Sequence, residues 1–238
     1  MSLVNLGRDG RVLVLEMNRP ERGNRVTADM GRELVEALEA ARRDPGVAAC
    51  VLTGAADAFC LGGDYDSAGP VVTERLEFAR AFIDATQAMH RLGKPLVAAV
   101  NGNAHAGGFT LVLSADLAVA AEGITLGLPE AAHGLFPIIA LAVVRDQLPK
   151  KVLFDIVYRA RLLSAAEARD LHLVNEIVAA GEVLARAVAL AEQAAAYNPA
   201  IVMLGRDLYY SQRGMSPTEA LEQSRFALAA ALGARDQG

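Results

Sequence analysis

Cysteines, basic runs and long apolar stretches are what this 238-residue chain has least of. Cys50 and Cys60 are too few for a disulfide framework, and no CxxC pair or Cys/His cluster has the spacing of a zinc site. There are 23 basic residues against 28 acidic ones, a net charge of −5, and no Lys/Arg run, which argues against a nucleic-acid partner. No stretch reaches the ~18 uninterrupted apolar residues of a membrane helix, so no membrane partner is expected. The opening MSLVNLGRDGRVLV lacks the basic start and long apolar run of a signal peptide, which leaves the cytoplasm as the expected compartment. Neither GxGxxG nor GKS/T occurs, so the dinucleotide fingerprint and the P-loop are both missing.

What is present is a composition of 53% hydrophobic and 21% charged residues, in a length that suits one large domain. The front alternates strand and helix. Arg11–Met17 is an apolar run closed by Asn18-Arg19-Pro20. Thr27 reads as an N-cap for a helix over Ala28–Arg43, with Met30, Leu34, Val35, Leu38 and Ala41 at helical spacing. Asp44-Pro45-Gly46 stops it before a buried strand at Val47–Thr53. A glycine-bearing loop, Phe59–Pro70, precedes a helix over about Val71–Leu92, and a strand at Leu96–Asn101 follows Gly93-Lys94-Pro95. A second glycine turn, Gly102–Gly108, opens a helix through Ser114. Short apolar runs lie at Leu117–Ala120 and Ile124–Leu126. Beyond Pro137 the pattern is nearly all helical, with starts marked by Pro149, Ser164, Asn198-Pro199 and Ser216-Pro217. The expected fold class is therefore α/β, with a core over 1–180 and a helical C-terminal subdomain over 181–238.

Both glycine turns follow buried strands. Glycine lets backbone approach a ligand closely, and unpaired N–H groups at a helix start favour negative charge. Two such amides converging on one point would stabilise an oxyanion. On spacing alone the same turns also read as ordinary strand-to-loop connections.

Four segments, in order, resemble the crotonase (enoyl-CoA hydratase/isomerase) superfamily along almost the whole chain. Asn18-Arg19-Pro20 with Asn24 is similar to its NRPxxxNA stretch. Phe59-Cys60-Leu61-Gly62-Gly63-Asp64 is similar to its F-C/S-A-G-A/G-D loop. Pro95–Asp116 resembles its KPxxAAVxGxAxGGGxxLxxxxD block, and Leu128-Pro129-Glu130 with Gly134-Leu135-Phe136-Pro137 its PExxxGxxP segment. The resemblance implies a spiral of ββα units, an acyl-CoA substrate with no separate cofactor, and a homotrimer or hexamer. It assigns the oxyanion hole to the backbone N–H groups of Leu61 and Gly107. Arg22, Arg25, Gly62, Asp64 and Phe136 are implied in substrate binding, with the two arginines at the nucleotide end of CoA. Leu135, Phe136, Ile138 and Phe109 are expected around the acyl chain.

Two departures from the pattern carry information. Family hydratases divide the proton work between two glutamates; one falls on Glu130, and the other on Thr110, which holds no transferable proton near neutral pH. One carboxylate suits double-bond isomerisation, in which a proton moves between two carbons. Thr110 remains a candidate for positioning water in a hydration. Glu130 also reads as an exposed glutamate just after a proline, and His105 and His133 as loop histidines. The second departure is the tail, where Gly233–Gly238 stops short of the family's final segment and leaves CoA or a carrier-protein thioester open as substrate. The expectation is an enoyl-CoA hydratase/isomerase-type enzyme. Its rivals are another reaction of the superfamily, such as decarboxylation or hydrolysis, or a non-catalytic acyl-thioester-binding protein.

Overall fold

The computed structural model describes residues 2–235. An antiparallel hairpin opens the chain, β1 (Val4–Asp9) against β2 (Val12–Met17). β1 is an edge strand with only Val4 buried, so no alternation betrays it in the sequence. Helix α1 (Ala28–Arg43) starts where expected: the Thr27 hydroxyl accepts the Met30 N–H at 3.2 Å, and Met30, Leu34, Leu38 and Ala41 face inward.

Next come β3 (Ala49–Gly54), β4 (Ala58–Cys60) and α2 (Val72–His90). The pattern repeats with β5 (Leu96–Val100), β6 (Asn103–His105) and α3 (Gly107–Ser114), then with β7 (Leu117–Ala121) and β8 (Thr125–Gly127). The remaining elements are α4 (Leu141–Val144), α5 (Lys150–Tyr158), β9 (Leu162–Ser164), α6 (Ala165–Asp170), β10 (Glu176–Val178), α7 (Val183–Ala194), α8 (Pro199–Ser211) and α9 (Pro217–Arg235).

Each turn of the spiral places a long strand in one sheet and a short one in a second. The larger sheet has the order β1-β2-β3-β5-β7-β10, parallel from β2 onward; the smaller is β4-β6-β8-β9, parallel except for β9. β3 and β5 are buried along their whole length, as parallel strands covered on both faces must be. The expected ββα spiral is therefore the observed one. The short strands β4 and β6 occupy stretches whose glycines read as loop.

Helix α7, expected in the C-terminal subdomain, packs into the core. Val183, Ala187, Val188 and Ala191 of α7 are buried in the main core, so α7 belongs to it, and α8 and α9 pack on each other as the outer pair. Arg206 fastens α8 back to the core. Its guanidinium, 9% exposed, donates to the Met89 and His90 carbonyls at the end of α2 and to Asp116 Oδ2, which also accepts the Leu96 N–H. The final helix, expected to end near Leu232, continues to Arg235; of the short tail, Asp236, Gln237 and Gly238 lie outside the described residues. Among the described residues no single helix is long and apolar enough to cross a membrane.

Candidate active site

The segment between β2 and α1 meets the loop after β4, and Asn24 ties that segment to the β3–β4 connection. Fully buried, it accepts the Arg19 N–H at 2.9 Å and donates to the Ala55 and Ala58 carbonyls at 2.8 and 2.7 Å. Val26 then forms a parallel bridge with Gly63: its N–H donates to Gly62 O, and its carbonyl accepts the Asp64 N–H, both at 2.9 Å. In such a bridge the groups flanking Gly63 face Val26, so the N–H of Gly63 itself points the other way. Among the described residues it meets no acceptor.

This geometry corrects the assignment of Leu61 as an oxyanion donor. The Leu61 N–H donates to Gly23 O at 2.9 Å and is already committed. Two residues along the same loop, Gly63 is the free amide.

The second turn brings Gly107 alongside. It is the first residue of α3, where an N–H has no intrahelical acceptor, and it finds none elsewhere among the described residues. Ala106 before it has φ 51° and ψ −119°, a conformation that glycine ordinarily fills. Two glycines let the turns approach. A Cβ on Gly62 (φ +104°) would lie 2.9 Å from the Ala106 Cβ, and one on Gly108 would lie 1.9 Å from Cys60 O. Gly62 is thus a spacer between the two turns, and it lines neither of the cavities described next.

Two cavities meet at this point. One, of about 520 Å³, is mainly apolar, with Phe78, Ala79 and Phe82 of α2 facing Leu135, Phe136 and Ile139. Thr110 and Gly107 line it as well. The other, of about 640 Å³, is polar and lined by Arg22, Arg25, Asp64, His105 and His133. Gly63, Tyr65, Glu130 and Leu135 belong to both walls.

Glu130 sits in a helical turn, Pro129–His133, and is 6% exposed rather than solvated. Its Oε2 is buried with no hydrogen-bond partner. Burial raises its pKa above the ordinary carboxylate value, offset only in part by its own backbone amide. Thr110 is fully buried, and its hydroxyl donates to Ala106 O at 3.2 Å, which leaves the oxygen as an acceptor beside the cavity.

The remaining candidates divide by what holds them. Burial alone would raise the Asp64 carboxyl, but Arg22 and Arg19, bonded to its two oxygens at 3.1 and 2.9 Å, hold it below the ordinary carboxylate value. Its oxygens are therefore engaged, and Asp64 acts as a loop anchor rather than a substrate ligand. Arg22 also pairs with Asp66. Arg25 donates to the Leu61 and Gly63 carbonyls at 2.8 and 3.4 Å and has no acidic partner among the described residues. His105 shares a 2.8 Å hydrogen bond with Thr125, and burial lowers its pKa, with Arg25 adding to the effect. Phe136 lines the apolar cavity, as do Leu135 and Ile138, whereas Phe109 points from α3 into the core and touches neither cavity.

The sequence reading missed Tyr65, Phe78 and Phe82. The last two stand four residues apart on α2, a spacing that marks a shared helix face without saying what that face meets.

Comparison with known proteins points the same way. The family described as enoyl-CoA hydratase/isomerase matches residues 7–229. The chain is 35% identical to the enoyl-CoA hydratase EchA19 of Mycobacterium tuberculosis over 202 residues, 82% of this chain and 75% of that one. It is 30% identical to the carnitinyl-CoA dehydratase of Proteus mirabilis over 219 residues, 91% of this chain and 83% of that one. Among solved structures, the enoyl-CoA hydratase of Mycobacterium smegmatis superposes with a TM-score of 0.91 at 29% identity, covering 97% of this chain and 91% of that one. DspI of Pseudomonas aeruginosa superposes with a TM-score of 0.91 at 25% identity, covering 98% and 96%.

Proposed function

The chain belongs to the enoyl-CoA hydratase/isomerase family, and from that premise we propose that it moves a proton on an enoyl-CoA thioester with Glu130 as its single acid–base group. The observation that carries this reading is the buried, unpartnered Oε2 of Glu130 on the wall shared by the two cavities. The thioester carbonyl oxygen would accept from the N–H groups of Gly63 and Gly107, and the start of α3 adds its partial positive charge. Removing a proton from C-2 of a 3-enoyl thioester leaves a dienolate whose negative charge rests on that oxygen. Returning the proton to C-4 from the same carboxyl gives the conjugated 2-enoyl thioester, with no net change in atoms or charge. A glutamate whose pKa is raised toward the working pH serves both directions of transfer.

In this reading the apolar cavity takes the acyl chain and the polar one takes the phosphate-bearing arm of CoA. Arg25 is the cation free to meet it.

Hydration is the second reading. The relatives named above are a hydratase and a dehydratase, and the acceptor oxygen of Thr110 beside the cavity suits a water molecule. An assay on crotonyl-CoA and on a 3-enoyl-CoA separates the two. New conjugated absorbance from the 3-enoyl-CoA alone, lost in Glu130→Gln, is the expected result. Loss of the crotonyl-CoA absorbance would transfer the assignment to hydration. Silence on both substrates would overturn the enoyl-thioester reading.

A further inference from the structure

One charged side chain of the apolar cavity is unused by the proton transfer. Besides Glu130, Arg75 is the only charged residue on that wall among the described residues. It is an exposed residue of α2, and its Nε donates to Gly69 O at 3.2 Å, which ties the guanidinium to the rim and leaves both Nη groups unengaged. Its neighbour Glu74 is turned to the helix start, where its Oε2 accepts the Val71 N–H at 3.4 Å. Arg75 pairs with no carboxylate among the described residues.

Helix α2 also places this cation at a set distance from the chemistry. Arg75, Phe78, Ala79 and Phe82 share its cavity face. Phe82 lies against the oxyanion turn, since a Cβ on Gly107 would come within 3.1 Å of its ring. Seven residues separate Arg75 from Phe82, about 10 Å along the helix axis at the α-helical rise. An extended chain advances about 1.2 Å per bond, so about eight bonds span that interval. Between the two ends Phe78, Ala79, Leu135 and Ile139 offer nothing to a polar mid-chain group, and Tyr65, whose ring packs on Phe78, brings a hydroxyl.

We propose that the enzyme acts on acyl thioesters of medium length whose far end carries a carboxylate, held by Arg75 at the cavity rim. The guanidinium fork receives the two carboxylate oxygens while the methylene chain lies along α2. The inference rests on the enoyl-thioester reading above for the direction in which the acyl chain enters. Its charge argument is independent of which reaction Glu130 performs.

Calorimetric titration with two saturated, unreactive ligands of equal chain length tests it: octanedioyl-CoA, with a free carboxylate at its end, and octanoyl-CoA, with a methyl group there. The wild-type protein is expected to bind octanedioyl-CoA about tenfold more tightly, a preference that shrinks as salt is raised. In Arg75→Leu the two dissociation constants should fall within about twofold of each other. Using a ratio within each variant removes the effect of any general loss of folded protein. Equal binding by the wild type, tighter binding of octanoyl-CoA, or a preference that survives in Arg75→Leu would each overturn the proposal. Failure of the enoyl-thioester reading would appear elsewhere, as absence of turnover on unsaturated thioesters that still bind.

Discussion

The two cavities share a wall and little else. On the apolar side, side chains from α2 and from Leu135–Ala140 supply almost no hydrogen-bonding groups. On the polar side, Arg19, Arg22, Asp64 and Asp66 make an ion-pair network that is partly open to solvent, and Arg25 stands beside it with no acidic partner among the described residues. A carboxyl group placed between them feels both. Glu130 is desolvated from one side, which raises its pKa, and a CoA thioester lying across the wall would bring its α-carbon beside it. In the proposed reaction the apolar side would tune Glu130, and the polar side would set where the thioester is held.

The strongest way to break that division is at the shared wall. Glu130→Gln should lower kcat by about 10²- to 10⁴-fold, the usual span of general acid–base contributions, while a CoA thioester still raises the melting temperature. Because the folded-state pKa of Glu130 is raised, its basic form appears only above the ordinary glutamate value of about 4.3. The wild-type activity should therefore climb with pH along a limb displaced upward from that value. The stability linkage has the opposite sign: the folded protein binds this proton more tightly than the unfolded chain, so stability declines as pH rises through the folded pKa. Initial rates on a 3-enoyl-CoA at several pH values check the first limb, and urea midpoints over the same range check the second.

Next in size is a change that leaves every polar group in place. Gly62→Ala introduces a methyl group against Ala106, at a φ of +104°. The turns carrying Gly63 and Gly107 must part to admit it. A displacement on the order of 1 Å costs about a hundredfold in rate when donors aim at a developing charge. The expected outcome is a fall in kcat of that order with little change in CoA affinity, read from steady-state kinetics beside thioester binding.

Asp64→Asn moves the test to the polar side, where the effect should fall on stability. Asp64 is 3% exposed and answers two arginines, one of which is itself nearly half exposed. With allowance for that solvent screening, its loss should cost about 2–3 kcal/mol at neutral pH. The folded-state pKa is lowered, so this contribution is complete above the unfolded value and disappears as pH falls through the folded one. Urea midpoints of wild type and variant should therefore converge in acid.

The sequence showed this comparison unevenly. Glu130, Gly107 and Thr110 are legible because each lies inside a segment that resembles the crotonase pattern, and the resemblance assigns each its place. The free amide of the first turn is not, since which N–H of Leu61–Gly63 is uncommitted depends on the bridge to Val26, a partner far away in the chain. Phe109 was expected beside the acyl chain, but α3 is buried on nearly every face and sequence does not say which face meets a cavity. Strand β1 carries too few buried residues to show a period. Helix α7 has the same alanine-rich composition as an outer helix, and only its packing on the large sheet makes it core.

The smallest and most discriminating change is at Arg25, which serves both sides. Its Nη1 holds the Leu61 and Gly63 carbonyls, and among the described residues its charge has no acidic partner to cancel it. Arg25→Gln removes the charge, whereas Arg25→Lys keeps it and removes the planar fork. If the polar cavity holds CoA phosphates, Arg25→Gln should weaken binding of a CoA thioester by about tenfold, and the salt dependence of binding should flatten with it. Arg25→Lys should retain most of the affinity and the salt dependence, yet lose a few-fold in kcat because its stem is one atom shorter and places the ammonium short of the point from which Nη1 bonds both carbonyls. The opposite pattern, in which Lys and Gln lose affinity alike while the salt dependence stays intact, would make Arg25 a loop brace alone. The phosphate arm would then belong to Arg22, whose charge Asp64 and Asp66 already share.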